Sequence, residues 1–98
     1  MDVDCLLTPA TPITAPKIGQ KMVVIHGKEE EVRSAATRFT RGMNALGFPA
    51  ISIPCGFTQA GMPVGLQIIA DRNKEDRLLF VAAAMEDAMG VAGRHPEL

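Results

Sequence analysis

Residues 42–70 read GMNALGFPAISIPCGFTQAGMPVGLQIIA and contain no charged side chain. Two apolar runs in this stretch, residues 49–55 and residues 64–70, are rich in β-branched side chains and are bounded by glycine or proline. These features are typical of β-strands. The stretch therefore predicts a strand, a loop and a second strand, and the absence of charge predicts that both strands are buried on both faces.

A membrane-spanning helix is the other structure that a long uncharged stretch can form. Residues 42–70, however, hold three prolines and five glycines. These residues would interrupt the backbone hydrogen bonding that the interior of a bilayer requires. We therefore expect no membrane segment.

The composition describes a single globular unit. The chain has 98 residues, of which 47% are hydrophobic and 21% charged, with a formal net charge of -1. A length of about 100 residues suffices for one domain with a modest core. The charge gives no basis for binding nucleic acid or an anionic membrane, and four phenylalanines without tryptophan or tyrosine offer little for stacking on bases. We expect neither partner.

The remainder of the chain supplies one more strand and the helices. Residues 3–8 form an apolar run that ends at the first of three prolines, which predicts a strand followed by an extended loop. Residues 17–31 show no period and include the charged run KEEE, so we predict a long exposed loop. Residues 29–45 have apolar side chains at helical spacing, although Gly42 weakens the pattern, which predicts a helix broken near Thr40.

The final element is a predicted amphipathic helix that begins after a capping Asn73 and ends at Gly90. Residues 91–98 are expected to be a frayed tail. The fold class is therefore α/β, with a mixed sheet of about three strands and one to two packed helices. The apolar stripe of the final helix is predicted to consist of Leu78, Leu79, Ala82, Met85 and Met89.

A search for catalytic chemistry finds little in the chain. Ser34 lies in a helical pattern and Ser52 in a strand, and neither is in the glycine-flanked turn that exposes a nucleophile. The two cysteines are far apart, which predicts buried free thiols, and residues 54–56 (PCG) are predicted to be a turn that ends the strand. His26 and His95 lack ligand-spaced neighbours. We expect no catalytic residue, metal or cofactor within the chain.

Four segments carry a specific resemblance. They are residues 47–56 (GFPAISIPCG), residues 61–67 (GMPVGLQ), residues 4–9 (DCLLTP) and the spacing Thr40-x-x-x-Asn44-x-x-Gly47. Together they resemble the C-terminal part of the amidase signature family. That resemblance implies that residues 1–98 are the C-terminal segment of a hydrolase of carboxamide C–N bonds. It also implies that the two serines and the lysine that perform the family's chemistry lie upstream of this region.

The same resemblance implies where substrate would be contacted. In the family, the helical turn before the PAIS strand comes near the substrate pocket, which makes Thr37, Thr40 and Asn44 the expected pocket wall. Members that use glutamine carry an acid where Thr37 stands, and the family often has proline at the position of Gly42. These differences argue against glutamine recognition and leave small neutral or aryl amides open as substrates.

Two functions from different classes follow from these patterns. The first is the C-terminal part of an amidase, which supplies sheet strands and a pocket wall. The second is a non-catalytic assembly or binding module that retains a piece of the amidase fold. Strands taken from a larger sheet have unpaired edges, so we predict association with the remainder of an amidase polypeptide or with another copy as a homo-oligomer. The N-terminus has no basic region ahead of an apolar one, which predicts a cytoplasmic location.

Overall fold

The computed structural model describes residues 3–90. Within them, the prediction of an α/β fold with a three-stranded sheet is confirmed, and both strand pairings in that sheet are antiparallel, in the order β1-β5-β4. A separate hairpin pairs β2 with β3. The elements in chain order are β1 (Leu6–Pro9), β2 (Met22–Ile25), β3 (Lys28–Glu31), α1 (Val32–Ala36), α2 (Arg41–Leu46), β4 (Ala50–Phe57), β5 (Pro63–Ile69) and α3 (Glu75–Met89).

The central strand β5 separates two faces of the sheet. Ile68 lies opposite Leu7 of β1 and Ile51 of β4, and the face that these residues share packs against α3. The core of this face consists of Ile53, Ile68, Ala70, Leu78 and Ala82, each at most 4% exposed. Burial of this apolar surface is the main stabilising interaction of the described part of the chain.

The opposite face carries a polar row. Gln67 of β5 lies opposite Thr8 of β1 and Ser52 of β4, and opposed residues in antiparallel strands project to the same side. The expectation of two buried faces is met by β5, where Gln67 and Ile69 are buried on this side as well. It is wrong for β4, because Ser52 and Ala50 are exposed. The reason is that β4 is an edge strand and that Ser52 and Ala50 lie on the face opposite the core packed against α3.

The segment of residues 54–56 does not end its strand, so that prediction is wrong. β4 continues to Phe57, and the pairing shifts between Pro54 and Gly56, which makes Cys55 the extra residue of a β-bulge. The Cys55 Sγ donates to the carbonyl oxygen of Val64 at 3.5 Å. Both cysteines are free, as predicted, but each is only partly buried.

The predicted loop over residues 17–31 contains a hairpin instead. Ile25 pairs with Lys28, and the two residues between them, His26 and Gly27, have φ angles of 51° and 78°. Two positive φ values in succession define the two-residue type I′ turn, whose twist matches that of the flanking strands, and glycine adopts this conformation without steric cost. The prediction failed because a run of glutamates has low strand propensity.

The helices agree with the predicted pattern in part. The break near Thr40 is confirmed, since α1 ends at Ala36 and α2 begins at Arg41. Gly47, at φ 76°, ends α2 and donates its N–H to the carbonyl of Met43 at 3.0 Å. No helix among residues 3–90 is long and apolar enough to cross a membrane.

Helix α3 departs from its predicted details at two places. Asn73 has a φ angle of 62° and is not the capping residue; the N-cap position is Lys74, without a side-chain cap hydrogen bond. Leu79 is 59% exposed, so its inclusion in the apolar stripe is wrong, whereas Leu78 and Ala82 are buried as predicted. The predicted tail and His95 lie outside the described residues.

Candidate functional site

Thr37, Thr40 and Asn44 lie on one continuous backbone segment, residues 37–46, which we call the wall segment. It comprises the connection between α1 and α2 together with α2 itself. The Thr37 carbonyl accepts the backbone N–H of Thr40 at 3.2 Å and that of Arg41 at 3.1 Å, and the Thr40 carbonyl accepts the N–H of Asn44 at 3.1 Å. The structure therefore brings the three predicted residues into one hydrogen-bonded run of turns.

The side chains of Thr37, Thr40 and Asn44 differ in the hydrogen bonds that they form within residues 3–90. The Thr37 hydroxyl donates to the Arg33 carbonyl at 3.1 Å, and the Thr40 hydroxyl donates to the Thr37 carbonyl at 3.2 Å. Each hydroxyl keeps its oxygen as an acceptor. Within residues 3–90, the side-chain amide of Asn44 has no hydrogen-bond partner. Thr37 and Asn44 are exposed and Thr40 is partly buried.

One end of the wall segment is fastened to the sheet by Gln67. Gln67 is 4% exposed, and it is the one polar residue that is buried among residues 3–90. Its Nε2 donates to the Thr8 hydroxyl oxygen at 2.8 Å and to the Phe39 carbonyl at 2.9 Å. The amide group thus links β5, β1 and the wall segment.

Sequence reasoning did not assign a role to Gln67. The signal that could have found it was a single amide within an otherwise apolar strand, because a buried polar group requires hydrogen-bond partners.

The other end of the wall segment is held by Arg72, which follows β5. Its Nη2 and Nε donate to the Leu46 carbonyl at 2.9 and 3.3 Å. The guanidinium carbon lies 5.0 Å from the centroid of the Phe48 ring. A cation at the C-terminus of a helix satisfies carbonyls that lack intrahelical partners and interacts favourably with the helix dipole. Arg72 and Gln67 together hold the wall segment at both ends.

Charged groups connect the wall segment to its surroundings. Arg38 forms an ion pair with Glu30 of the hairpin, and the Arg41 Nη2 donates to the Ser34 carbonyl at 3.2 Å. The backbone N–H of Arg72 donates to the Asp71 carboxylate at 2.8 Å, and this hydrogen bond lowers the pKa of Asp71. Asp71 is therefore ionised at neutral pH, next to the arginine that holds α2.

The described residues hold no complete catalytic constellation. Ser34 and Ser52 are exposed, and within residues 3–90 no hydrogen bond joins either hydroxyl to a histidine, lysine or carboxylate. The Cys55 thiol donates to a backbone carbonyl and not to a base. No group of three or more histidine, cysteine or acidic side chains in this part of the chain could hold a metal ion.

Comparisons with known proteins identify relatives along almost the whole chain. The sequence model of the family described as Amidase matches residues 1–79. The chain is 43% identical over 95 residues to a glutamyl-tRNA(Gln) amidotransferase subunit of Prochlorococcus marinus (strain MIT 9313), covering 97% of this chain and 18% of that protein. It is 40% identical over 97 residues to the corresponding subunit of Brevibacillus brevis, covering 98% of this chain and 19% of that protein.

Solved structures agree with these sequence matches. The chain superimposes on 6-aminohexanoate cyclic dimer hydrolase with a TM-score of 0.82 and 36% identity, covering 96% of this chain and 21% of the hydrolase. It superimposes on an amidase crystal structure with a TM-score of 0.84 and 30% identity, covering 89% of this chain and 20% of that one. The chain belongs to the amidase signature family, and it spans about a fifth of the length of the relatives that it matches.

Proposed function

We propose that this chain forms the C-terminal segment of an amidase, which hydrolyses the C–N bond of a carboxamide to a carboxylate and ammonia or an amine. The observation that carries this proposal is a match over 97% of the chain to a relative of which it spans 18%. The nucleophilic serine, the second serine and the lysine belong, in this proposal, to the part of an amidase that precedes this segment. The described residues contribute binding and structure.

The role of the wall segment is to form one side of the substrate pocket. Thr37, Thr40 and Asn44 supply uncharged donors and acceptors on a segment that is held at both ends by Gln67 and Arg72. An amide substrate carries one carbonyl acceptor and up to two N–H donors, which the Asn44 amide and the threonine oxygens complement. Because none of the three side chains is charged, the pocket wall suits a small neutral or aryl amide.

In the proposed enzyme, the upstream residues carry out the reaction and the wall segment binds the substrate. Attack on the substrate carbonyl forms a bond from the nucleophile to carbon, the C–N bond then breaks, and the leaving nitrogen takes a proton. Water then attacks the acyl carbon, the bond from that carbon to the nucleophile breaks, the nucleophile takes a proton and the carboxylate is released. These steps are assigned to the upstream residues, whereas the wall segment binds the carboxamide and so contributes to KM.

A hybrid enzyme tests this proposal. The segment of 6-aminohexanoate cyclic dimer hydrolase that matches this chain is replaced by residues 1–98, and release of amine is measured on the cyclic dimer and on a panel of neutral and aryl amides. The expected result is hydrolysis by the hybrid and none by the same hydrolase lacking the segment. A folded hybrid that is inactive on every amide would contradict the proposal.

The isolated chain supplies the complementary test. We expect no amide hydrolysis by the purified 98-residue protein, because no hydrogen bond joins a described serine hydroxyl to a histidine, lysine or carboxylate among residues 3–90. Turnover that survives both Ser34→Ala and Ser52→Ala would reveal a nucleophile within this chain. Turnover that either substitution abolishes would assign the chemistry to that serine, which also contradicts the proposal.

The proposed partner is the remainder of an amidase polypeptide or, in its absence, another copy of this chain. The sheet presents the outer edges of β1 and β4, and Leu6 and Leu7 of β1 are 44% and 54% exposed. Open strand edges with apolar side chains favour self-association. Light scattering of the isolated protein is expected to show dimers or larger species, and a monodisperse 10.5 kDa monomer at high concentration would contradict this. The cytoplasmic location stays a prediction, which cell fractionation tests.

A further inference from the structure

We infer that Gln67 is a positioning residue for substrate binding: from the interior of the sheet, it sets the place of the wall segment through the Phe39 carbonyl. This inference rests on the proposed function, because the wall segment is the proposed side of the substrate pocket. Gln67 does not itself touch substrate, since it is 4% exposed and lies on β5.

The hydrogen bond to the Phe39 carbonyl connects Gln67 with the part of the chain that carries Thr37 and Thr40. Phe39 lies in the connection between α1 and α2, one residue before Thr40 and two after Thr37. Its carbonyl accepts the Gln67 Nε2 at 2.9 Å, across 28 residues of sequence. A hydrogen bond at this point fixes the connection relative to the sheet, and the two threonines move with it.

The second contact of Gln67 engages the other hydrogen of its amide nitrogen. The Thr8 hydroxyl donates to the Pro9 carbonyl at 3.1 Å, so its oxygen is left to accept from Gln67 at 2.8 Å. The two hydrogens of the Nε2 group therefore point to two different elements, β1 and the wall segment. A side chain with one donor, or with a shorter reach, cannot make both contacts.

Burial distinguishes this contact from the one at the other end of the wall segment. Arg72 is exposed, so water can replace its hydrogen bonds to the Leu46 carbonyl. Water has little access to Gln67, and a buried hydrogen bond that is lost is not readily compensated. Removing Gln67 should therefore displace or loosen the segment that carries Thr37 and Thr40.

The test compares Gln67→Met with Thr8→Val. Methionine is unbranched and similar in length to glutamine but donates no hydrogen bond, so Gln67→Met removes both contacts. Thr8→Val is the matched control, because it removes the acceptor on β1 and leaves the bond to the Phe39 carbonyl. Both variants remove the hydrogen bond between Gln67 and Thr8. Only Gln67→Met also removes the hydrogen bond to the wall segment.

The first readout is amide hydrogen exchange in the 98-residue chain. A net hydrogen bond of about 1 kcal/mol corresponds to about a fivefold change in an opening equilibrium. We expect about fivefold faster exchange of the Thr40, Arg41 and Asn44 amides in Gln67→Met, relative to core amides of α3, and less than about a twofold change in Thr8→Val. Equal acceleration in both variants would overturn the inference.

The second readout is steady-state kinetics in the active hybrid. We expect Gln67→Met to raise KM about fivefold or more with kcat within about twofold, because binding is lost and the chemistry is not, and Thr8→Val to leave KM unchanged. A KM that is unchanged in Gln67→Met would overturn the inference. If Gln67→Met does not fold, Gln67→Asn, which keeps the amide but shortens its reach, is expected to give the same rise in KM.

The outcomes for this inference and for the proposed function are separable. An inactive parent hybrid would count against the proposed function, while hydrogen exchange would still decide whether Gln67 holds the wall segment. An active parent hybrid with an unaffected Gln67→Met variant would retain the proposed function and remove the positioning role.

Discussion

Two adjacent leucines of α3 give the most discriminating test of the packing. Leu78 is 4% exposed within the core cluster that includes Ile53 and Ile68, whereas Leu79 is 59% exposed. Leu78→Ala removes buried methyl groups and leaves a cavity, and such substitutions cost about 2–5 kcal/mol. Leu79→Ala is expected to cost about 0.5 kcal/mol or less, as at exposed positions in general.

Comparing Leu78→Ala with Leu79→Ala isolates the effect of burial on the free energy of unfolding. Both substitutions exchange leucine for alanine in the interior of the same helix, so the change in helix propensity is nearly the same in the two variants. A domain of this size has a free energy of unfolding of about 5–15 kcal/mol, so Leu78→Ala removes a large share of it.

Urea denaturation of the 98-residue chain, followed by circular dichroism at one protein concentration, measures the difference. With an m-value of about 2 kcal/mol/M, the midpoint of Leu78→Ala should fall by about 1–2.5 M, and that of Leu79→Ala by less than about 0.3 M. Equal shifts, or a larger shift for Leu79→Ala, would refute the packing of α3 described above.

Two further predictions concern the wall segment and its neighbour. Gly42→Ala should raise the free energy of unfolding by about 0.5–1 kcal/mol, because Gly42 is helical and an added Cβ meets no atom within 4 Å; a lower urea midpoint would contradict this. The pKa of Asp71 is lowered in the folded chain by the hydrogen bond from Arg72, so its stabilising contribution is present above the ordinary carboxyl pKa and is lost as pH falls through the lowered value. The fall in urea midpoint between about pH 6 and about pH 3 should therefore be smaller in Asp71→Asn than in the parent, and an equal fall in both proteins would contradict the assignment.

The strands at the centre of the fold could be predicted from the sequence because their signal is local. Residues 49–55 and 64–70 are uncharged, β-branched and bounded by turn residues, and the structure places β4 at Ala50–Phe57 and β5 at Pro63–Ile69. The bulge at Cys55 could not be predicted from local sequence. It depends on how β4 pairs with β5, and a proline beside a glycine indicates a turn as readily as a bulge.

The hairpin shows where composition misleads. The sequence of β3 is KEEE, which has low strand propensity, and its pairing with β2 is specified by the two residues of the turn. The dipeptide His26-Gly27 between two short runs was the signal for it. Charge alone predicted an exposed loop there, and β3 is indeed mostly exposed.

The sequence predicted the segment that carries the candidate site residues, but not the contacts that hold this segment in place. The helical spacing of apolar residues, with a break near Thr40, predicted the connection on which Thr37 and Thr40 lie. The contacts that hold the two ends of the wall segment join residues 28 and 26 positions apart, which no local pattern specifies. Likewise, helical periodicity could not decide which of Leu78 and Leu79 faces the sheet, because adjacent positions differ by only part of a turn.

We propose that this chain completes an amidase whose reacting groups lie upstream, and the decisive experiment measures amine release by the hybrid and by the isolated chain side by side. We expect hydrolysis by the hybrid and none by the isolated chain at equal molar concentration. Hydrolysis by the isolated chain, or a folded hybrid without activity on any amide, would contradict it.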